Sequence, residues 1–264
     1  MSSHFQYPKA FERPRFMNSA DARGIRILAE YYEPLQRLND EQIWHTIVFF
    51  GSARFIDKEK ATAALEAVRA ADASPEVIRA AEWKLEMARY YEDARTLARM
   101  VTEWSMALPD DLRMWICSGG GGGIMEAANR GAVEAGGKTV SLNIHLPHEQ
   151  KPNDWAQESL TFNFHYFFMR KFWFAYRAKA SVVFPGGFGT LDELMELLTL
   201  IQTQRVEKYI PVVIYGSDFW KRVINIESLA EMGTISPEDL DLFAYADTPE
   251  DAFRIITDAL TLND

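Results

Sequence analysis

Short apolar runs that end in glycine or serine turns, alternating with helical stretches, predict an α/β fold. The expected form is a Rossmann-like, doubly wound parallel sheet with helices on both faces. Two observations add to this. Three of the runs end in small-residue turns, at positions 51, 118 and 186, and a parallel sheet binds ligands at the C-terminal ends of its strands. No internal repeat, low-complexity linker or clear domain boundary divides the 264 residues. A single domain with an N-terminal helical extension is therefore expected, with 1–40 as arm and helix and 41–264 as the main body.

Taken in order, residues 1–20 mix Pro, Ser, Arg and aromatics without periodicity and read as an extended arm. Its aromatics (Phe5, Tyr7, Phe11, Phe16) leave docking on the body or on a partner subunit open beside disorder. Ile25 to Leu38 has amphipathic helical spacing. Thr46 to Phe50 is a buried strand, followed by Gly51-Ser52-Ala53-Arg54 and a helix over 57–71. Ser74-Pro75 starts a second helix running toward Leu108, long enough that a kink or break is expected. Met114 to Cys117 is a strand that runs into Ser118 and five glycines, Gly119 to Gly123, before a helix over 124–135. Further strands are expected at 138–144, 160–164, 181–184 and 210–214. Helices are expected through 169–179 and over 190–203, 218–231 and 249–260, with a turn near Ser236-Pro237.

Composition bounds the function. Hydrophobic residues make up 48 % and aromatics 13 %, which argues for a sizeable core. A net charge of −10 argues against a nucleic-acid polymer or an acidic membrane as partner, since phosphate arrays need clustered positive charge. No apolar run is long enough for a membrane span. The N-terminus lacks the apolar core of a signal peptide. A single cysteine, Cys117, excludes an intramolecular disulfide, and a cytoplasmic location is expected.

The segment between Arg170 and Glu193 is the most informative. PGGFGTLDE at 185–193 joins the end of a strand to the start of a helix, and the glycines let a ligand approach the backbone. Helix N-termini attract anions, and Thr190 can cap this one or offer its hydroxyl to a phosphate. Glu193, three residues on, reads either as half of a capping box with Thr190 or as a functional carboxylate. Arg170 and Lys171 read either as a solvated helix face or, given their aromatic surroundings, as cations reaching the same pocket. The glycine run at 119–123 lacks the closing Gly-Lys-Ser/Thr of a Walker A loop and departs from GxGxxG at Ile124. It reads as a ligand loop or as a tight turn with close helix packing. His145 and His148 form an HLPH spacing with no third ligand nearby, so no metal is expected. Ser52 fits a phosphate contact better than a nucleophile, and Cys117 fits a core thiol.

At these residues the chain resembles the LOG (Lonely Guy) family, marked by PGGxGTxxE and often labelled lysine decarboxylase-like. Pro185 to Glu193 matches that motif in full, and Arg170-Lys171 matches the family's Arg-Lys pair at its spacing of 23 residues from the glutamate. FFGSAR (49–54) and SGGGGGIMEAANRGA (118–132) resemble the family's two other glycine-turned loops, and LNIHLPHEQKPN (142–153) resembles a loop of bacterial members. Two departures stand out. Phe168-Met169 replaces the usual His-Glu before the Arg, and the helical stretch over 57–108 is longer than in short members.

The resemblance implies hydrolysis of the N-glycosidic bond of nucleoside 5′-monophosphates to free base and ribose 5-phosphate, without metal or cofactor. It implies Arg170 and Glu193 as catalytic residues. It implies substrate contacts from Gly51, Ser52, Gly120, Gly121, Gly122, Glu149, Lys171, Gly186, Gly187, Phe188, Gly189, Thr190 and Thr199. It also implies a homodimer or higher oligomer with the site near the interface. A decarboxylase would need a Schiff-base lysine for pyridoxal phosphate, and nothing around Lys171 singles it out. A non-catalytic carrier of a phosphorylated small molecule, like the molybdenum-cofactor carriers, is the alternative. The base (plain purine, pyrimidine or prenylated adenine) and the role (cytokinin activation or nucleotide salvage) stay open.

Overall fold

A computed structural model of the protein describes residues 7–144, 151–206 and 208–261. In chain order it comprises α1 (Pro14–Met17), α2 (Arg23–Asp40), β1 (His45–Phe50), α3 (Lys58–Ala70), α4 (Pro75–Met106), β2 (Met114–Ser118), α5 (Ile124–Glu134), β3 (Thr139–Ile144) and β4 (Thr161–Phe164). It continues with α6 (Phe167–Arg177), β5 (Ala178–Val183), α7 (Phe188–Gln202), β6 (Val212–Tyr215), α8 (Ser217–Val223), α9 (Glu227–Glu231), β7 (Phe243–Ala246) and α10 (Pro249–Thr261).

The seven strands form one parallel sheet in the order β4-β3-β2-β1-β5-β6-β7. This is the Rossmann-like α/β sheet predicted from the sequence. Strands β2 to β4 are laid outward on one side of β1, and the chain then returns to place β5 on the other side. The turns after β1 and β5 therefore open into the crevice where the strand order reverses, which is where doubly wound sheets bind ligands.

Strand β1 shows why both faces are covered. Ile47 and Phe49 join the core built with α4, α5 and α10, while Val48 and Phe50 join the core built with α2, α6 and α7. Alternate residues of a strand point to opposite faces, so a strand apolar throughout must be buried twice.

Several elements differ from the sequence reading. Helix α4 runs unbroken for 32 residues. Its only proline is at the first position and it has no glycine, so nothing in it forces a kink. Helix α6 stops at Arg177, and β5 begins at once with Ala178, earlier than expected. The stretch 217–231 holds two short helices, because Ile224 adopts extended backbone and Asn225 Oδ1 accepts from Ser228 N. Strand β7 has no counterpart in the sequence reading. From residue 7 onward the arm contains a turn of 3-10 helix at Ala10–Glu12 and the short α1, where an extended segment was expected.

Candidate active site

The three glycine-bearing turns are knitted together at Ser52. Its amide donates to Pro185 O at 3.0 Å, joining the turns after β1 and β5. Its carbonyl accepts from Ile124 N at 3.0 Å, joining the turn after β2. Its hydroxyl accepts from Arg54 N at 3.1 Å, which shapes its own turn. Two glycines make this approach possible. A Cβ at Gly123, where φ is +67°, would collide with the Ser52 carbonyl oxygen, and one at Gly186 would collide with the Thr190 hydroxyl. The Ser52 hydroxyl, bonded in its own turn, has no base beside it among the described residues.

A cavity of about 710 Å³ opens over these turns. Gly51 to Phe55 line it from β1, Gly119 and Met125 from β2 and α5, Arg170 and Phe174 from α6, Gly186 to Leu191 and Glu193 from β5 and α7, and Phe219 and Val223 from α8. The first amides of α7 have no partner within the helix, so its N-terminus offers this space donors and a positive dipole end.

Arg170 and Glu193 meet in the wall. Arg170 Nη2 donates to Glu193 Oε1 at 2.9 Å, and their side chains are 15 % and 8 % exposed. Burial pushes the Glu193 carboxyl up to about 7, against the opposing pull of Arg170 and then Lys171. Burial also lowers the proton affinity of Arg170, opposed by Glu193. In both groups desolvation outweighs the pairing, while the guanidinium keeps its charge. The guanidinium lies 5.4 Å and 5.5 Å from the rings of Phe167 and Phe174, which hold it out of water.

Glu193 is not a helix cap. Helix α7 starts at Phe188, which makes Thr190 its third residue and Glu193 its sixth. The capping-box alternative is therefore corrected: Glu193 lies beyond the first turn. Nor are Arg170 and Lys171 a solvated face, since both side chains are largely buried in ion pairs.

Of the residues singled out in the sequence, Gly51, Ser52, Arg170, Gly186, Gly187, Phe188, Gly189, Thr190 and Glu193 line the one cavity. Others go elsewhere. Gly120 and Gly121 turn their carbonyls to Asn153, and Gly122 packs beside the Ala53 carbonyl; none of the three is among the described residues lining the cavity. Lys171, one position along α6 from Arg170, is rotated away and pairs with Asp192 at 2.8 Å and Glu196 at 2.7 Å. Thr199 is exposed, and its hydroxyl donates to Met195 O at 2.7 Å within α7. Glu149, like His145 and His148, lies outside the described residues. Cys117 is buried in the sheet, and burial raises its thiol far above the ordinary value.

Sequence reasoning missed the far wall. Phe219 and Val223 come from a helix that follows β6 and carries no motif, and Phe55 and Met125 flank the recognised turns. Only the topology brings them together.

A family model described as possible lysine decarboxylase matches residues 125–256, half of the chain, and so spans Arg170-Lys171 and PGGFGTLDE. A search of curated proteins finds no significant match. Among solved structures, the X-ray structure of TM1055, a structural-genomics target, is similar at 19 % identity and a TM-score of 0.50, over 81 % of this chain and 99 % of that one. The structure of a Moco carrier protein from Chlamydomonas reinhardtii matches at 16 % identity and a TM-score of 0.47, over 83 % of this chain and 99 % of that one. At 19 % identity the likeness to TM1055 concerns the fold alone. The family's description raises the question of pyridoxal phosphate, which needs a lysine for its Schiff base. No lysine lines the cavity among the described residues, so they do not fit that cofactor. The preserved glycine turn, the arginine and the glutamate, inside a matched segment of half the sequence, place this chain in the LOG-like family described as possible lysine decarboxylases.

Proposed function

We propose that the protein hydrolyses the N-glycosidic bond of nucleoside 5′-monophosphates, releasing the free base and ribose 5-phosphate. One observation carries this reading: a buried Arg170–Glu193 pair stands in the wall of a cavity whose floor is an open helix N-terminus and knitted glycine turns. The turns and the first amides of α7 hold the 5′-phosphate, with Thr190 beside them. That anchor sets the ribose against Glu193. As the C1′–N bond breaks, its electron pair leaves with the base and positive charge builds on the ribose. Ionised Glu193 stabilises that charge and takes a proton from the water whose oxygen bonds to C1′. The departing base recovers a proton, so nucleotide and water give base and ribose 5-phosphate in balance. Arg170 orients the substrate and steadies negative charge on the leaving base.

A homodimer or larger oligomer belongs to this proposal. Tyr32 on α2 and Phe167, Phe168, Phe172 and Tyr176 on α6 are 37–60 % exposed, and Phe188 at the cavity mouth is 94 % exposed. The substrate contact implied for exposed Thr199 would then be made across the subunit boundary. No helix among the described residues is long and apolar enough to cross a membrane. The lone buried thiol of Cys117 supports a reducing, cytoplasmic setting.

The test is incubation with AMP, CMP, GMP and isopentenyladenosine monophosphate, with released base followed by chromatography. Release from at least one is expected. Tight binding with no release from any would sink the enzyme reading in favour of a carrier.

A further inference from the structure

Behind the Arg170–Glu193 pair lies a second cavity of about 20 Å³, between the sheet and helices α6 and α7. Glu193 borders both cavities, so its side chain stands in the partition between them. The polar members of the rear cavity are Ser181 on β5, Lys171 on α6, and Glu193 and Glu196 on α7. Ser181 is fully buried, and its hydroxyl has no hydrogen-bond partner among the described residues. A hydroxyl in that position is normally satisfied by protein or by an ordered water. One water needs roughly 10–15 Å³ and two to four polar neighbours, and the rear cavity supplies both.

We propose that Ser181, Lys171 and Glu196 hold one internal water against the rear of the Glu193 carboxyl, and that this set orients the carboxyl and fixes its proton affinity. The inference rests on the role given to Glu193 above. Ser181 and Lys171 do not line the main cavity, so they act through Glu193 as positioning residues and not by touching substrate.

The charges give each member a sign. The Lys171 ammonium, and the Ser181 hydroxyl donating through the water, favour the carboxylate; the Glu196 carboxylate disfavours it. The charged groups acting on Glu193 are Arg170 and Lys171 from α6 and Asp192 and Glu196 from its own helix; Arg54 also lines the main cavity. Strands β1 and β5 bring no ionisable side chain to either cavity among the described residues. The contact of Lys171 Nζ with Glu196 Oε2 at 2.7 Å keeps the cation behind Glu193 and away from the phosphate end.

The experiment follows the Glu193 carboxyl directly, by carbon-13 NMR titration of the full chain labelled at glutamate. Its resonance is identified by loss in Glu193→Gln. This readout does not depend on turnover, so failure of the nucleotide reading is seen separately, as absence of base release from any of the four nucleotides. The midpoint is expected to rise by roughly half a unit in Ser181→Ala and by about one unit in Lys171→Met, and to fall in Glu196→Gln. In active protein the acid limb of kcat/KM should move with it, while KM for AMP stays within about twofold. An unmoved midpoint in Ser181→Ala, or shifts of the same sign in the two charge variants, overturns the proposal. So does a large KM rise in Lys171→Met at an unmoved midpoint, which would return Lys171 to direct substrate contact. If Lys171→Met does not fold, the opposite signs expected for Ser181→Ala and Glu196→Gln decide alone.

Discussion

Glu193 is a carboxyl poised to exchange its proton near neutrality, because burial works against an adjacent guanidinium and prevails. In the proposed reaction the ionised form is the working one. The kcat/KM profile should therefore rise with pH, level off above about 7, and fall roughly tenfold per unit below it. A flat profile from pH 5 to 8 would remove Glu193 from the chemistry. The same shift has a consequence for stability of the opposite sense. Between the ordinary value of 4.5 and about 7, the folded chain keeps a proton that the unfolded chain has lost. Stability from this group is thus present in acid and is lost as pH rises through that window. Urea melts of wild type and Glu193→Gln should show that component disappear in the variant. Glu193→Ala should cut turnover by about 100-fold or more while phosphate binding persists, as checked by calorimetry with ribose 5-phosphate.

Among the elements, the turns matter more than the strands they end. Gly123→Ala would bring a Cβ onto the Ser52 carbonyl in a left-handed conformation, so the knit between the first two turns must open. A loss of about 2–4 kcal/mol is expected in denaturant unfolding, with a raised KM for nucleotide; an unchanged midpoint would mean that the turns are not coupled. These turns were legible in the sequence because glycine leaves a local mark. Other elements leave none. Strand β7 has four residues at the sheet edge, mostly half-buried, too short for a period to show. Neighbours in sequence also diverge in space: Arg170 and Lys171 look like one cationic pair, yet a single helical step puts them on opposite sides of Glu193. The wall formed by Phe219 and Val223 depends on where β6 lies in the sheet, which no local pattern encodes.

At the scale of the whole molecule, the reversal of strand order between β1 and β5 sets the glycine turns after these two strands side by side. Alternation of short apolar runs with helices foretold that much. In the proposed oligomer the exposed aromatics of α2 and α6 would form the subunit interface. Phe172→Asp should convert an oligomer to monomer in analytical ultracentrifugation; an unchanged sedimentation coefficient would place the interface elsewhere. The fold class and the glycine turns that line the cavity were thus readable from sequence, whereas the residues that close the cavity required the assembled sheet.

Helix α4 carries a further consequence. Ala81 is the only buried residue among 75–87, whereas Ala88, Tyr90, Tyr91, Ala94, Leu97, Ala98 and Val101 beyond it are all buried. One continuous helix therefore spans two levels of protection. Its amides should exchange with deuterium quickly at the N-terminal end and slowly past Tyr90, with α3 following the fast half. Tyr90 stacks on Phe55, which lines the cavity, at a ring separation of 6.0 Å. Each local opening of that outer half would end one residue pair short of the cavity, so the exchange boundary along α4 marks how far the structure can breathe before the pocket does.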